Sequence, residues 1–299
     1  MKLSILTATY NRENTLPKLY QSIVSNLYDK LEVEWLIMDD GSTDSTKRLV
    51  QGFIDNSKFS IKYYYQENKG KMSAINNLVQ HAQGELLIEC DSDDFFMENA
   101  FEKIYSKSGS LLEDDELYAL IFLRDMSNIE VSGKKFEVED RKTSMFDMYF
   151  KENMDGEKII LYKTSVRKMY RYELEVNEKF STEARMHYKI EEKYKVKCFN
   201  LEIVSGEYLE QGYTKNINKV FMENPVGYFM YFKEILARDI RGITFSKRLY
   251  VVKHYILFAV LSKSRIDVKY IKNFINKFLV VVLYWPGVVK SRKFIETNK

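Results

Sequence analysis

Over the first hundred residues, short apolar runs alternate with stretches whose apolar positions recur every three or four residues, the signature of strands joined by crossover helices. Lys2 to Ala8 reads as a strand, and the chain then changes to helical spacing, with Leu16, Leu19, Ile23 and Leu27 on one side. Asn14 or Thr15 can cap that helix, and Pro17 is tolerated in its first turn. Glu34 to Met38 is a second strand, Asp39, Asp40 and Gly41 form a turn, and a helix over Ser42 to Ile54 is capped by Ser42, Thr43 or Asp44. Ile61 to Gln66 is a third strand. A helix with Ile75, Leu78, Val79 and Ala82 facing inward follows it, closed by Gly84 as C-cap. Leu86, Leu87, Ile88 and Cys90 then form the nearly continuous apolar run expected of a parallel strand covered on both faces. The fold class is α/β, a mostly parallel sheet with flanking helices.

The middle of the chain is less regular. The pattern predicts a helix from Asn99 to Ser106, strands at Leu117 to Leu123 and Ile159 to Tyr162, a helix over Lys179 to Tyr194, and a strand at Lys197 to Val204. Acidic and basic residues alternate through Glu137 to Lys142, as in a solvent-facing stretch, and from Pro225 onward strands give way to helices rich in aromatics and lysine.

Composition narrows the class. The chain has 299 residues, 45% of them hydrophobic, enough for one large core or a domain with an appendage. Its two cysteines, Cys90 and Cys198, have no metal-like or redox-like spacing and read as small buried hydrophobes in a reducing cytoplasm. The amino terminus is too polar for an export signal. The apolar run Phe278 to Trp285 stops at Pro286, short of the roughly 20 residues of a membrane span, so no crossing of a bilayer is predicted. The net charge of +3 hides an asymmetry: residues 241–299 hold 13 Lys and Arg against 2 Asp and Glu, so the tail is basic and the body acidic.

Candidate chemistry collects at strand ends. Thr9, Tyr10, Asn11 and Arg12 follow the first strand, and Asp39, Asp40 and Gly41 follow the second. In a doubly wound sheet these ends are neighbours, so a tyrosine face could stack a base while an aspartate accepts from its N–H or from a ribose hydroxyl. Turn and capping chemistry explains the same residues without a ligand. Asn68, Gly70, Lys71 and Asn76 lie at a helix start, where backbone N–H groups and a lysine suit a phosphate or a nucleobase carbonyl, a flexible polar loop being the equally ordinary reading. No GxGxxG or GxxxxGK[ST] pattern is present. Asp91, Asp93 and Asp94 crowd three carboxylates into four residues, which calls for a cation or donors to offset their repulsion. An EF-hand is disfavoured, because Phe95 and Phe96 fall where a ligand and a glycine are needed.

The segments ILTATYNR, WLIMDDGSTDST, ENKGKMSAINN and GELLIECDSDD, in that order, resemble the family 2 glycosyltransferases of the GT-A fold. The resemblance implies an inverting transferase that takes a sugar from a nucleoside-diphosphate donor, UDP favoured, to a hydroxyl of a glycan or lipid-linked oligosaccharide. The acceptor would belong to bacterial polysaccharide biosynthesis. Thr9, Tyr10, Asn11, Asp39, Lys71, Asp91 and Ser92 are the donor contacts it implies. Asp91 and Asp93 become the acids of a DXD motif, with Asp93 the first choice to ligate Mn2+ or Mg2+ and Asp91 and His187 the further candidates. NEKFSTEARMHYKIEEKYKV resembles the subset with TE in place of the usual ED pair, which makes Glu183 the candidate base, at a helix start where the dipole favours its ionised form. Ala184 leaves one acid where many relatives have two, and an ordinary first-turn glutamate is the other reading of Glu183. Residues 1–215 are then the catalytic domain, with a nucleotide-sugar half at 1–105 and an acceptor half at 106–215, and residues 216–299 are a basic helical region.

Two readings of the tail stay open. Phe245 to Leu261 and Tyr270 to Val289 combine aromatic and aliphatic residues with scattered lysines, as in helices lying on an anionic membrane surface. The same pattern suits helices that pack on the catalytic domain or on a second subunit. The expected location is cytoplasmic, peripheral at the inner face of the cell membrane if the first reading holds. No nucleic-acid module is recognisable. Two other functional classes stay open: a catalytically weak nucleotide-sugar-binding or scaffolding protein at the membrane, and a basic membrane or nucleic-acid binding protein in which the acidic site is incidental.

Overall fold

The computed structural model describes residues 1–126, 130–206, 216–238 and 240–298. The elements in chain order are β1 (Lys2–Thr9), α1 (Leu16–Ser25), β2 (Glu32–Asp39), α2 (Thr46–Asn56), β3 (Ser60–Tyr65), α3 (Lys71–Val79), β4 (Leu86–Glu89), β5 (Asp94–Phe96), α4 (Ala100–Leu112), β6 (Leu117–Met126), β7 (Glu130–Val131), α5 (Met145–Phe150), β8 (Lys158–Lys163), α6 (Thr164–Arg167), α7 (Ala184–Ile190), β9 (Lys195–Gly206), α8 (Ile217–Glu223), α9 (Pro225–Leu236), α10 (Phe245–Leu261) and α11 (Phe274–Thr297). Two compact units interleave along the chain, one of Met1–Met145, Met154–Arg171 and Lys189–Glu207, the other of Phe146–Asn153, Tyr172–Tyr188 and Tyr208–Lys299. The boundary expected after residue 215 lies outside the described residues.

The first unit is built on one sheet in the order β3-β2-β1-β4-β8-β6-β9-β5, with β7 paired to β6. Strands β3, β2, β1 and β4 are mutually parallel, as their apolar runs predict. In the other half β9 is parallel to β6, which runs in the direction of β4, and antiparallel strands are set among them. β8 runs antiparallel between β4 and β6, and β5 antiparallel to β9, so the sheet is mixed. Leu3, Ile5, Leu6, Trp35, Leu36, Leu86 and Ile88 are fully buried, which explains why these strands are apolar on successive positions. The fully buried acid of β2, Glu34, is offset by donors from Ser4 Oγ at 2.6 Å and Gln83 N at 2.6 Å, and by Lys2 and Lys62. Burial raises its pKa, and these partners more than reverse the effect, leaving it below the ordinary glutamate value.

Several boundaries differ from the sequence pattern for local reasons. Helix α1 stops at Ser25, and Leu27 is exposed rather than on its buried side. Helix α2 begins at Thr46: Ser42 and Thr43 bond to the loop after β1, while Asp44 does both, accepting from Glu13 N and from Thr46 N, the first residue of the helix. Gly84 does not close α3, whose C-cap is Gln80. A Cβ at Gly84 would stand 2.6 Å from Lys2 O and 2.8 Å from Ser4 N, so the glycine allows the chain to pass close to β1. The helix after Asn99 is longer than predicted and reaches Leu112. The helix expected over Lys179 to Tyr194 shrinks to α7, since the N–H groups of Lys179 and Phe180 are committed to Asn224 Oδ1 at 3.0 and 2.9 Å.

The second unit has an aromatic helical core. Phe229 stacks on Tyr255 at 5.2 Å, and Tyr228 and Phe232 stack on Phe258 at 4.9 and 5.7 Å. Buried Arg248 donates to Ile240 O, Ile243 O and Asn276 Oδ1, tying α10 to the turn before it and to α11. Pro286 does not end α11, which runs unbroken past it to Thr297. Gly287 lies against α10 so closely that a Cβ there would stand 2.7 Å from Ile256 Cγ2; tertiary packing of this kind outweighs the backbone bond that proline forfeits. Among the described residues, α11 is the one helix long and apolar enough to cross a membrane by length and composition, which the sequence pattern did not predict.

Candidate active site

The site begins where β1, β2 and β4 end side by side. Thr9 pairs in register with Asp39, and Asp40 N donates to Thr9 O at 2.8 Å. Trp35 Nε1 donates to Thr7 Oγ1, which donates to Cys90 O, so one buried relay fixes the three strand ends against one another. Above it the two following loops are clasped. Asn11, in the left-handed region at φ 52°, donates its N–H to Ser42 Oγ and accepts from Thr43 N at 2.8 Å. Arg12 N donates to Thr46 Oγ1, Glu13 N donates to Asp44 Oδ2, and Glu13 Oε2 accepts from Ser45 N across the same seam. The residues expected to be helix caps are the fasteners of a rigid rim.

Within that rim, buried Asp39 accepts from Ser42 N at 2.7 Å and from the Tyr63 hydroxyl at 2.7 Å. Its neighbour Asp40 accepts from Gln66 Nε2, Lys69 N and Gly70 N, each at 2.7 to 2.8 Å, and so ties the β3–α3 loop to the end of β2. Gly70 has φ 92°, which a side chain would disfavour, and it precedes the first residue of α3, Lys71. Tyr10 is exposed at the edge of the rim. Buried Thr9 Oγ1 has no hydrogen-bond partner among the described residues, an orphaned polar atom beside Asp39.

The floor is the turn between β4 and β5. Lys71 Nζ reaches Asp91 Oδ1 at 2.7 Å and Oδ2 at 2.8 Å. Burial raises the Asp91 carboxyl, but Lys71, followed by Arg124 and Arg12, brings it below the ordinary value. Its side chain is nonetheless 46% exposed, so this acid is surrounded by protein and open to solvent from one side. Ser92 is buried next to it. Asp93 lies above the usual carboxylate range, first through burial and then through the charge of Asp91, with only Arg12 and Lys71 as cationic offsets. Asp94 turns away to Arg124 Nη2 at 2.5 Å, and Arg124 also pairs with Glu157. Gly206 makes room for this clamp, since a Cβ there would stand 1.9 Å from Asp94 Oδ1. Ser22 Oγ and Asn26 Oδ1 of the α1 end accept from Phe96 N and Ala100 N at 3.0 and 2.8 Å, fixing the chain that leaves the turn.

Among the described residues, no group of three or more His, Cys, Asp or Glu side chains could hold a metal by itself. Asp91 and Asp93 supply hard oxygen donors whose mutual repulsion is only partly relieved. That suits Mg2+ or Mn2+, which commonly take one or two carboxylates and complete their shell with water and substrate phosphates.

A family model described as glycosyl transferase family 2 matches residues 4–175, more than half of the chain and all of the strand ends just described. The chain belongs to glycosyltransferase family 2. Its sequence is 35% identical over 106 residues to an uncharacterized glycosyltransferase of Mycoplasma pneumoniae, covering 35% of this chain and 36% of that one. It is 29% identical over 234 residues to the GalNAc(5)-diNAcBac-PP-undecaprenol beta-1,3-glucosyltransferase of Campylobacter jejuni, covering 74% and 71%. The first match spans only about a third of that relative's length. Among solved structures, TarS 1–349 of S. aureus in complex with UDP superposes with a TM-score of 0.56 at 15% identity, over 98% of this chain and 92% of that one. The mannosyltransferase PcManGT of Pyrobaculum calidifontis, in complex with GDP-Man and Mn2+, gives the same TM-score of 0.56 at 15% identity over 98% and 84%. The fold is the α/β GT-A fold of family 2, with helices after it.

Thr9, Tyr10, Asn11, Asp39, Lys71, Asp91, Ser92 and Asp93 all belong to the first unit of this family 2 protein. Glu183 and His187 belong to the second. Glu183 is partly exposed immediately before α7, and its carbonyl accepts from Met186 N and His187 N. His187 is buried, at 1% exposure. Between them, buried Arg185 pairs with Glu173, Glu175 and Glu234 at 2.9 to 3.0 Å, which fixes the short helix at the point where Glu183 emerges. Arg124 and Arg185 are structural members that periodicity does not announce. Each is a charge inside an otherwise apolar or partly apolar run, LYALIFLRDM and ARMHYKI, and a buried charge requires a partner elsewhere in the chain.

Proposed function

We propose that this chain transfers a sugar from a nucleoside-diphosphate donor, UDP favoured, to a hydroxyl of a glycan or lipid-linked oligosaccharide. The observation that carries this reading is the convergence of Thr9, Asp39 and Asp91 on three adjacent strand ends, under a rim locked by the Asn11–Thr43 and Asp40–Gly70 bonds. Ligands of open α/β sheets bind outside the carboxyl ends of the strands. The ligands bound in the structural neighbours, UDP and GDP-Man, support a nucleotide donor, and the undecaprenol-linked substrate in the name of the Campylobacter relative supports a lipid-linked acceptor.

Each residue then has a task. Tyr10 offers an exposed ring face for a base, and the Thr9 hydroxyl an unused hydrogen bond. Asp39, already oriented by Ser42 and Tyr63, accepts from the base or the ribose. Lys71 offers its ammonium to the diphosphate when it exchanges Asp91 for substrate oxygens. Asp93, with Asp91, would hold Mn2+ or Mg2+, a cation that when bound offsets the negative charge growing on the leaving diphosphate oxygen. Glu183 takes the proton of the attacking hydroxyl, so that direct displacement inverts the anomeric centre. Buried His187 has no assigned step.

A panel of nucleotide sugars with Mn2+, scored by calorimetry for binding and by release of the nucleoside diphosphate for slow hydrolysis, tests the donor assignment. Binding of one or more UDP-sugars, weakened by Asp39→Ala, is expected. Failure of every donor to bind, or binding indifferent to Asp39→Ala, would count against it.

A further inference from the structure

We propose that the outer face of α11 is a docking surface for an anionic lipid bilayer, on which the helix lies rather than crosses. Phe274, Ile275, Phe278, Val281, Trp285 and Val289 are exposed, Phe274 and Trp285 at 79% and 73%. At about 100° per residue they fall within one arc of the helix, and from Phe274 to Val289 that arc carries no charge over about 22 Å. The opposite arc, with Asn276, Leu279 and Val280, is buried against the unit's own helices. The helix is therefore apolar on two sides, one of them already used for packing. An exposed apolar stripe of this length marks an interaction surface.

Charge identifies the occupant. Lys277 and Lys290 border the stripe on its two sides, and Arg292 and Lys293 follow its end, while Glu296 is the sole acid among the described residues of the helix. This is the arrangement of an interfacial helix, apolar side chains in the acyl boundary and lysines at the phosphates. A second copy fits poorly: the stripe is flanked by lysines and offers no acid, so a like copy would bring more positive charge to its borders and no counter-charge. Spanning fits poorly as well. The uncharged segment Phe278–Val289 between the two lysines is 12 residues, about 18 Å of helix against a hydrocarbon core of about 30 Å. Crossing would also strip the buried arc from α10.

The test is co-sedimentation of the full chain with phosphatidylcholine vesicles with and without phosphatidylglycerol, joined to tryptophan emission. The chain has two tryptophans, and Trp35 is fully buried, so a blue shift on adding vesicles reports Trp285. Binding to the anionic vesicles with a blue shift is expected. Phe278→Ser with Trp285→Ser should abolish sedimentation, and both sites are exposed, so the fold should be retained. Lys277→Gln and Lys290→Gln should each weaken affinity about fivefold while keeping the blue shift at saturation. No sedimentation, equal binding to both vesicle types, or binding indifferent to the double serine variant would overturn the proposal. So would a dimer in sedimentation velocity that the double serine variant dissociates, since it would give the face to a second copy.

Discussion

The turn after β4 and the turn before α7 both present an acid with a proposed chemical task, yet they are held in place in opposite ways. Asp91 and Asp93 sit at the end of a parallel strand, and the backbone around them is fixed by neighbours on the same sheet, by the Thr7–Cys90 relay, and by the α1 side chains that receive Phe96 and Ala100. Glu183 sits before a helix of seven residues held by side chains: Arg185 joins Glu173, Glu175 and Glu234, and Asn224 accepts from Lys179 and Phe180. A sheet edge positions chemistry through its ladder. A short helix depends on distant charged partners, and so loses its position when one of them is removed.

The sharpest way to break this comparison is to remove the acids themselves. Asp93→Ala should reduce turnover by about 10²–10³-fold, because the charge developing on the leaving group loses its stabilisation, and should raise the Mn2+ concentration needed for donor binding. Initial rates over a Mn2+ titration measure both. Arg185→Met comes next. It leaves three glutamates without their common cation, and since those acids are partly solvated the loss should be about 2–3 kcal/mol of stability, read from urea midpoints. A midpoint unchanged by this variant would show that α7 is held by its apolar contacts instead.

The smallest effect concerns pH. His254 of α10 stacks on Phe232 and donates from Nδ1 to Tyr250 O at 2.8 Å, and burial lowers its pKa below the ordinary 6.5. The unfolded chain therefore takes up this proton first. Stability from the neutral ring is complete above pH 6.5 and is lost as pH falls toward the lowered folded value. Thermal melts between pH 7.5 and 5.5 should show a decline that His254→Phe flattens, and an equal decline in the variant would place the titration elsewhere.

The same contrast explains what the sequence made legible. Period and apolar runs located β1, β2, β3, β4 and the acids at their ends, because in a parallel sheet neighbours in sequence become neighbours in space. They place Ser42 and Thr43 as helix caps where the structure uses them across the loops, and of the three cap candidates Asp44 does reach the start of α2, since a cap and a cross-loop bond draw on the same polar groups. They could not anticipate the antiparallel insertion of β8 between β4 and β6, which depends on a long-range pairing no local pattern encodes. Asp94 had no role until Arg124, thirty residues later, was seen to hold it. Pro286 ends the apolar run Phe278 to Trp285 in the sequence, yet α11 continues past it, with Gly287 packed on α10.

The most direct test of the central claim is to measure donor binding and sugar transfer side by side in the wild type and in Glu183→Gln, with the donor that the panel selects. The account predicts that the variant binds donor with unchanged affinity while transfer falls by about 10²–10⁴-fold, since only the proton acceptor is lost. Transfer retained at the wild-type rate would contradict it.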